Sequence, residues 1–322
     1  MYNYAVLGAG RQGQAIAYDL AINGDAKNIS LIDLDEKIAT DSANRLNKLL
    51  NSSIVKPVQL DVTNKLELKN KLTNINTVIS AVPYFLNETI TEVAIENKFN
   101  LIDLGGNTDI VRNQLSKNEE ALSSKITITP DCGMGPGMNI TLSLLVMEQF
   151  DDPKSIKIYD GGLPQFPKKP WKYSLFFNIN GLTNEYDGNA TFLRDSNLTE
   201  VECFEDIEIL NFDHLGELEA AVTSGGLSTM PWTFKNTLQT LENKTLRFEG
   251  HWQDMIAYRR LGLFDLNGIE FNNKKIIPRE FYHHLLEPKL NNKNVKDICI
   301  MRILGSGIKN GVNKNIQLDA VE

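Results

Sequence analysis

The sequence predicts an α/β protein in which a doubly wound parallel sheet is followed by an α+β domain with a largely antiparallel sheet. From residue 2 to about 130, short apolar runs alternate with longer amphipathic segments, which is typical of parallel strands joined by right-handed helical crossovers. Beyond Pro130–Gly137 the pattern changes to alternating, aromatic-bearing segments, which favour antiparallel strands. A chain of 322 residues is long enough for two domains. We place them at 1–132 and 133–322, and the C-terminal segment is a candidate to pack back on the first domain.

The composition indicates a folded enzyme-sized protein. Hydrophobic residues make up 42% of the chain and charged residues 23%, which is ordinary for a globular protein. The net charge of −8 repels phosphate backbones, so we expect no nucleic-acid binding. Three cysteines are too few for a disulfide framework, and no apolar run approaches the ~20 residues of a membrane helix. A strand pattern begins at residue 2, which leaves no room for a signal peptide, and we therefore expect a cytoplasmic protein.

Six strands are predicted in the first domain, which is the full number for a Rossmann-type dinucleotide-binding domain. They are rich in Val, Ile and Leu, as strands buried on both faces are. The predicted strands are Tyr4–Leu7, Ile29–Ile32, Ile54–Leu60, Thr77–Ser80, Leu101–Leu104 and Ile126–Thr129. The predicted helices between them are Gln14–Ala21, Glu36–Leu50, Thr89–Asn97 and Gln114–Leu122.

The second domain follows a helix predicted at Ile140–Gln149, which Pro153 ends. Its predicted strands are Lys154–Tyr159, Tyr173–Ile179, Ala190–Leu193, Val201–Glu202, Leu246–Glu249 and Ile298–Leu304. Its predicted helices are Phe234–Leu241, Trp252–Leu261 and Pro278–Leu290. The alternation of apolar and polar residues in the strands predicts a sheet with one buried face.

The first strand leads into a G-x-G-x-x-G motif at Gly8–Gly13. The motif is weak alone, but here it follows a buried strand and opens a helix, as dinucleotide binding requires. We expect Gly8 to permit a tight turn, Gly10 to let the backbone touch a pyrophosphate, and Gly13 to allow close packing of helix and strand. The N–H groups at the start of the helix, including those of Arg11 and Gln12, would meet the phosphates.

An acidic residue, Asp33, ends the second strand about twenty residues after the motif. Its carboxylate can accept hydrogen bonds from the hydroxyls of an adenosine ribose and would repel a 2′-phosphate. Leu34 and Asp35 follow, so no arginine is placed to bind that phosphate, and we predict NAD over NADP. The alternative is that Asp33 caps the following helix. Asp61, at the end of the third strand, is a candidate for the adenine amino group.

The later strand ends carry small residues and glycines. Ala81, Val82 and Pro83 follow the fourth strand, where doubly wound sheets bind ligands, and would allow the nicotinamide ribose to lie close. Gly105, after the fifth strand, is either a further backbone approach to the nicotinamide or a plain strand exit. A rigid, glycine-rich segment, Pro130–Gly137, then leads from the sixth strand into the second domain.

Several motifs together resemble the saccharopine dehydrogenase-related family. They are the glycine motif, Ser80–Pro83, Asp103–Gly106, Cys132–Gly137, Gly181–Gly188, Gly216–Ala220, Thr223–Thr229 and Leu246–His251. The resemblance covers nearly the whole chain, and its second-domain motifs are more specific than the glycine motif. Within the family it is greatest to the L-lysine 6-dehydrogenases.

This resemblance implies NAD-dependent oxidation of the carbon that bears an amine, followed by hydrolysis of the imine. For lysine the product would be allysine, which cyclises. One alternative is the reductive condensation of two substrates, as saccharopine and carboxynorspermidine dehydrogenases perform it. A second is a regulator that binds NAD and does no chemistry. Family analogy also implies a homodimer through the second-domain sheet.

Hydride can leave only from a neutral amine, whereas a free lysine ε-amine titrates near ~10.4, so the site needs a proton acceptor. No residues have metal-ligand spacing. Asp131 is the first candidate acid/base, with a turn residue as the equal alternative. His251 either moves a proton or caps a helix. Cys132, a candidate for the substrate site, is expected to be a small buried thiol rather than a nucleophile, because hydride transfer needs no thiolate.

Three further residues are candidates for binding the substrate. Arg247 would bind its α-carboxylate in a bidentate manner, unless it is a solvated strand arginine. Tyr173, in a predicted strand, either points its hydroxyl into the crevice between the domains or packs in the core. Thr223 begins a backbone-rich loop that could bind a carboxylate or an amine.

Overall fold

The computed structural model describes residues 1–213, 215–292 and 295–322. It divides the chain into two compact units, Met1–Gly137 and Met138–Glu322. Among the described residues, no helix combines the length and the apolar character that a membrane crossing requires. Each unit has its own sheet and its own hydrophobic cores.

Unit 1 alternates strands and helices as the sequence predicts. Its strands are β1 (Tyr2–Leu7), β2 (Ala26–Asp33), β3 (Val55–Gln59), β4 (Thr77–Ser80), β5 (Asn100–Asp103) and β6 (Ile128–Thr129). Its helices are α1 (Arg11–Asn23), α2 (Glu36–Leu50), α3 (Lys65–Lys71), α4 (Asn87–Asn97), α5 (Thr108–Ser116) and α6 (Asn118–Ser124), with a short 3-10 turn at Tyr84–Leu86.

The sheet of unit 1 has the order β3-β2-β1-β4-β5-β6, and all its pairs are parallel. This confirms the predicted Rossmann-type sheet. The strand order reverses between β1 and β4, so the carboxyl ends of these two strands form the switch point at which such sheets bind ligands. Ala81 donates its backbone N–H to the carbonyl of Leu7 at 2.8 Å, which fixes the two strand ends side by side.

One predicted helix of unit 1 is wrong in its extent. The segment Gln114–Leu122 is not continuous, because α5 ends at Ser116 and α6 begins at Asn118. The side chain of Asn107 starts α5 early by accepting from the N–H groups of Asp109 and Ile110 at 3.1 Å. The chain turns at Lys117 between the two helices, and α6 packs against α4.

Unit 2 is built on a larger sheet. Its strands are β7 (Asp152–Pro164), β8 (Asn189–Arg194), β9 (Asn197–Glu202), β10 (Glu208–Phe212), β11 (Gly216–Val222), β12 (Thr240–Arg247), β13 (Ile269–Phe271), β14 (Lys274–Ile276), β15 (Asp297–Lys309) and β16 (Val312–Val321). Its helices are α7 (Met138–Met147), α8 (Ile179–Glu185), α9 (Met230–Phe234), α10 (His251–Arg260) and α11 (Pro278–Leu290).

The main sheet of unit 2 has the order β10-β11-β12-β7-β15-β16, and β8 joins it beside β12 with β9 on its other side. The pair β12–β7 is parallel and the other pairs are antiparallel, so the sheet is mixed. A separate two-stranded sheet is formed by β13 and β14. The parallel pair places the ends of β7 and β12 next to each other, and the candidate substrate site lies there.

Two predictions in unit 2 are wrong. The segment Tyr173–Ile179 is not a strand: the chain is irregular up to Asn178, whose side chain caps α8 by accepting from the N–H of Asn180. The segment Phe234–Leu241 is not a helix, because α9 ends at Phe234 and the backbone N–H of Gln239 donates to the carbonyl of Lys154 at 2.8 Å. That bond draws the chain into the sheet beside β7.

Candidate functional site

The glycine motif lies in the turn between β1 and α1. Gly8 has a φ of +93°, and a Cβ on it would stand 2.7 Å from the carbonyl oxygen of Ala81. A Cβ on Gly13 would stand 1.7 Å from the carbonyl oxygen of Gly8. By contrast, a Cβ on Gly10 would meet nothing within 4 Å. The protein's own packing therefore requires Gly8 and Gly13, whereas Gly10 faces open space that a ligand can approach.

The N-terminus of α1 offers an anion site. Gly10 is the N-cap and no side chain caps the helix, and its first turn contains no acidic residue. Arg11 and Gln12 are exposed there. The partial positive charge of a helix N-terminus attracts phosphate groups, so the predicted pyrophosphate site has the required local structure.

Asp33 ends β2 and is held by two backbone groups. Its Oδ2 accepts from the N–H of Ala9 at 2.9 Å, and its Oδ1 accepts from the N–H of Asp35 at 3.0 Å. Asp35, not Asp33, caps α2 by accepting from the N–H groups of Lys37 and Ile38, so the helix-cap alternative is wrong. A surface depression of about 660 Å³ adjoins Asp33 and is lined by Asp33, Leu34, Asp35, Glu36, Lys37 and Gln59.

Of the other candidate cofactor-binding residues, Asp61 is held by local hydrogen bonds. Oδ1 of Asp61 accepts from the N–H and the hydroxyl of Thr63 at 2.9 and 2.7 Å, and these bonds lower the pKa of its carboxyl. After β4, Ala81 and Val82 are partly buried and Pro83 is exposed. They follow directly on β4 at the predicted ligand edge of the sheet.

Asp131 and Cys132 lie in unit 1 against the end of β5. The carboxylate of Asp103 is fully buried and accepts from the N–H of Gly105 at 2.8 Å and the side-chain amide of Gln114 at 2.7 Å. A Cβ on Gly105 would stand 2.1 Å from Oδ1 of Asp131, so this glycine makes room for the Asp131 carboxylate. Cys132 is exposed, so the expectation of a buried thiol is wrong. Partial desolvation, together with the charges of Asp103 and Asp131, raises the pKa of its thiol, which keeps it protonated.

Arg247 is the centre of the candidate substrate site in unit 2. It is the last residue of β12, and only 3% of it is exposed. Nε donates to the hydroxyl of Tyr186 at 2.9 Å, Nη1 donates to the carbonyl of Leu246 at 2.8 Å, and the guanidinium lies 4.9 Å from the ring centre of Tyr173. Arg247 is therefore not a solvated strand arginine. Within the described residues, no carboxylate oxygen lies within 4.0 Å of its nitrogens.

His251 begins α10 and is bonded to Tyr186. Its Nε2 lies 2.9 Å from the Tyr186 hydroxyl. Because that hydroxyl already accepts from Arg247, its own proton points to His251, and we assign the histidine as the neutral Nδ1–H tautomer. Burial, together with the charge of Arg247, lowers the pKa of His251 well below its ordinary value. The imidazole thus supports Tyr186, and its side chain does not cap the helix.

Two acidic residues that interact electrostatically with Arg247 are absent from the sequence-based predictions. Asp160, on β7, is buried and accepts from the side-chain amides of Asn139 at 3.2 Å and Asn243 at 3.1 Å. Burial raises its pKa to about 6, against the lowering effects of Asn243 and Arg247. Glu185, the last residue of α8, is partly exposed, yet the surrounding protein raises its pKa to about 7 while Arg247 lowers it. The signal for Glu185 was available, since it lies in Gly181–Gly188.

The remaining candidates of unit 2 fall into two groups. Tyr173 is buried over Arg247, with its ring centre 5.1 Å from that of His251, so these two residues share the cluster with Arg247. Thr223 is buried, and its hydroxyl lies 2.7 Å from that of Thr245, so it is engaged within the fold. Throughout the part of the chain that the structure describes, no group of His, Cys, Asp and Glu could hold a metal ion.

A parallel sheet of the order 3-2-1-4-5-6 with a glycine motif defines a dinucleotide-binding protein of the Rossmann type. In this chain it is followed by a second unit that contains a buried guanidinium. The family models agree. The Saccharopine dehydrogenase NADP binding domain matches residues 4–129, and the Saccharopine dehydrogenase C-terminal domain matches residues 133–318. The chain belongs to the saccharopine dehydrogenase family of oxidoreductases, which act on CH–NH donors, and this confirms the resemblance at the level of the family.

Curated relatives are distant and longer. The mitochondrial alpha-aminoadipic semialdehyde synthase of Mus musculus is 22% identical over 253 residues, covering 71% of this chain and 26% of the relative. The saccharopine dehydrogenase [NADP(+), L-glutamate-forming] of Saccharomyces cerevisiae is 23% identical over 205 residues, covering 62% of this chain and 44% of the relative. The chain thus spans about a quarter of the length of the mouse relative.

Solved structures share the fold. Apo saccharopine dehydrogenase (L-Glu forming) from Saccharomyces cerevisiae has a TM-score of 0.77 at 18% identity, covering 100% of this chain and 85% of that one. The homospermidine synthase of Legionella pneumophila in complex with NAD has a TM-score of 0.58 at 13% identity, covering 99% and 77%. At these identities the comparison shows the fold and not the substrate.

Proposed function

We propose that this protein is an NAD-dependent amino-acid dehydrogenase that oxidises the ε-amine of L-lysine. The observation that carries the proposal is that Arg247 is buried and has no carboxylate partner among the described residues. A buried charge is costly unless it is paired, yet within the described residues no carboxylate comes within 4.0 Å of this guanidinium. An anionic substrate group would supply the missing partner, and guanidinium binds carboxylates in a bidentate manner. The substrate therefore carries a carboxylate.

The cofactor site favours NAD over NADP. Three acidic side chains, those of Asp33, Asp35 and Glu36, line the depression next to the glycine motif. Among the described residues, Lys37 is the single basic residue that lines it, and its ammonium group pairs with Asp41 one helical turn away. A 2′-phosphate would meet negative charge there, whereas ribose hydroxyls can donate to the carboxylates.

The reaction breaks the C–H bond of the carbon that bears the neutral ε-amine. NAD held at the glycine motif and Asp33 would accept the hydride with its electron pair, and the nitrogen would lose a proton, so that an imine and NADH would result. Water then adds to the imine, and ammonia leaves as the aldehyde, allysine, forms. When bound, the nicotinamide supplies the hydride acceptor. The protein must supply acceptors for the proton and must hold the substrate by groups remote from the reacting carbon.

The roles of the side chains follow from their surroundings. Asp131 remains the candidate proton acceptor in unit 1, and Cys132 is a protonated thiol near it. In unit 2, Arg247 binds the carboxylate and Tyr173 covers its guanidinium. We assign His251 a positioning role, since a neutral imidazole that accepts from Tyr186 holds this tyrosine against Arg247 and has no proton to give from Nε2.

A second candidate reaction is the NAD(P)-dependent cleavage or formation of a secondary amine between two amino acids. It is favoured by the names of the curated relatives, which include a saccharopine dehydrogenase. In the cleavage direction this reaction also oxidises a CH–NH group, and an amino-acid substrate would again bring a carboxylate to Arg247.

Absorbance of the reduced nicotinamide separates the two reactions. Lysine plus NAD, without a carbonyl partner, should produce NADH and release one ammonia for each NADH. If lysine gives no signal but saccharopine does, the second candidate replaces the first. Cofactor binding without turnover on any amine would instead indicate a regulator and overturn both.

A further inference from the structure

We propose that Asp103 is a positioning residue for Asp131, and that its buried carboxylate fixes the orientation in which Asp131 accepts the proton of the substrate amine. This inference deepens the proposed function and rests on its assignment of Asp131 as the proton acceptor. It concerns unit 1 alone, where the parallel strands β5 and β6 end next to each other at the carboxyl edge of the sheet.

One oxygen of Asp103 joins the two strand exits. Oδ1 accepts from the N–H of Gly105, after β5, at 2.8 Å and from the N–H of Asp131, after β6, at 3.3 Å. The backbone carbonyl of Asp103 accepts from the N–H of Cys132 at 2.7 Å. Two successive N–H groups of the segment that follows β6 thus donate to the same residue. The main chain of Asp131 is therefore fixed against the end of β5.

The space for the Asp131 carboxylate is provided by Gly105. A Cβ on this glycine would stand 2.1 Å from Oδ1 and 3.1 Å from Cα of Asp131, so the Asp131 side chain lies directly over the glycine. Asp131 has a φ of +62°, a left-handed conformation that a residue other than glycine keeps only where the surrounding contacts hold it. Because Oδ1 of Asp103 binds the N–H groups of both residues, it holds together the pair whose contact decides where the Asp131 carboxylate points.

The Asp103 carboxylate is itself oriented from its other side. It is fully buried, and its Oδ2 accepts from Nε2 of Gln114, on α5, at 2.7 Å. The same amide donates to the hydroxyl of Thr91, on α4, at 3.1 Å. Gln114 and Thr91 are buried as well. These three side chains form a polar chain from α4 through α5 to the end of β5, so the packing of unit 1 sets the direction of the Asp103 carboxylate.

A buried carboxylate is an unfavourable group with which to build a strand exit. Among the described residues, no ion pair joins Asp103 to a basic side chain. Burial raises its pKa, against the lowering effect of its three hydrogen bonds. A buried charge without a counter-ion and a left-handed aspartate both reduce stability, and proteins retain such features mainly at functional sites. Here both features meet at the candidate proton acceptor.

Steady-state kinetics of two variants tests the role of the carboxylate. Asp103→Ala should lower kcat for lysine about hundredfold, because Asp131 loses its orientation. KM for lysine and Kd for NADH should change by less than about threefold, since the binding groups remain. Asp103→Asn should keep kcat within about tenfold of wild type. Its oxygen can accept from the same two N–H groups, and its amide can donate to Oε1 of Gln114, which is buried and has no partner among the described residues, once the Gln114 amide turns.

A double-mutant cycle shows whether Asp103 acts through Asp131. Asp131→Ala should lower kcat at least as far as Asp103→Ala does, and adding Asp103→Ala to Asp131→Ala should cause no further loss. A purely structural role would instead lower kcat by the same factor in both backgrounds. The inference is overturned by that additive result, by an unchanged kcat in Asp103→Ala, or by full activity of Asp131→Ala.

A matched control separates positioning from a general loss of stability. The side chain of Asn47 accepts from the N–H of Val55, on β3, at 3.0 Å and donates to its carbonyl at 2.8 Å. Asn47→Ala should lower the melting temperature and leave kcat within about twofold of wild type. If thermal melts show that Asp103→Ala does not fold, Gln114→Met replaces it in the cycle, because it removes the donor that orients Asp103.

The substrate used in the cycle distinguishes this inference from the proposed function. A non-additive cycle with saccharopine, on an enzyme that does not oxidise lysine, would remove only the lysine assignment. An additive cycle on an enzyme that oxidises lysine would remove only the role of Asp103. Turnover on no amine would overturn both.

Discussion

The hydroxyl of Tyr186 accepts a hydrogen bond from Nε of Arg247 at 2.9 Å, across 61 residues of sequence. The same hydroxyl lies 2.9 Å from Nε2 of His251. The three side chains are almost fully buried, so this bond sets the orientation of the guanidinium plane. An arginine held in one orientation loses less side-chain entropy when it binds a carboxylate.

Tyr186→Phe should therefore weaken substrate binding more than catalysis. We expect KM for lysine to rise about tenfold with a smaller change in kcat, because the guanidinium loses its support while the reacting groups stay. Two buried polar atoms lose a partner, so the free energy of unfolding should fall by about 1–3 kcal/mol. Steady-state kinetics and urea unfolding measure both. Tyr282→Phe is the matched control, since the buried Tyr282 hydroxyl contacts only the soft sulfur of Met255, at 3.6 Å, among the described residues.

Removal of the Arg247 guanidinium should raise KM more for a substrate that carries a carboxylate than for one that lacks it. Arg247→Ala should raise KM for lysine far more than for pentane-1,5-diamine, which lacks that group. Arg247→Lys should give an intermediate value for lysine, because an ammonium cannot form the bidentate pair. Equal changes for both substrates would exclude Arg247 from the carboxylate site.

Substitutions of two motif glycines should have different effects, one on cofactor binding and the other on stability. Gly10→Ala should leave the melting temperature nearly unchanged, since a Cβ there meets nothing within 4 Å, but should weaken NAD binding about tenfold or more. Gly8→Ala should lower the melting temperature, because its Cβ would stand 2.7 Å from the Ala81 carbonyl oxygen and its φ is +93°. Calorimetry and thermal melts report the two effects. Unchanged NAD affinity in Gly10→Ala would contradict the predicted pyrophosphate site.

Asp33 should control the choice between the two nicotinamide cofactors. Asp33→Ser should weaken NAD binding and narrow its advantage over NADP, because a negative charge that repels the 2′-phosphate is removed. Asp33→Asn is the closer control, since its carbonyl oxygen can still accept from Ala9 or Asp35 while the charge is gone. Fluorescence titration with NADH and NADPH gives the ratio. An unchanged ratio in both variants would refute the ribose role.

Local signals determined most of unit 1. Both ends of helix α2 were predicted. The structure shows local signals at each end: Asp35 caps its start, and Asn51 takes the left-handed conformation after it. In unit 2, α11 was likewise predicted at both ends, with Pro278 in its first turn. The prediction of a strand at Tyr173–Ile179 failed for a different reason: its alternating aromatic residues pack around Arg247 and α10 and do not line a sheet.

The sequence by itself determined the dinucleotide motif, the parallel sheet that presents it and the family, and it predicted a role for Arg247. These depend on residues that are adjacent or periodic in the chain, so their physical causes are local. Only the tertiary structure decided that Arg247 is buried with no carboxylate within 4.0 Å among the described residues, that His251 is bonded to Tyr186, and that Glu185 and Asp160 interact electrostatically with Arg247. Burial, pKa and the lack of a partner arise from contacts between segments that are distant along the chain, and no local pattern records those contacts.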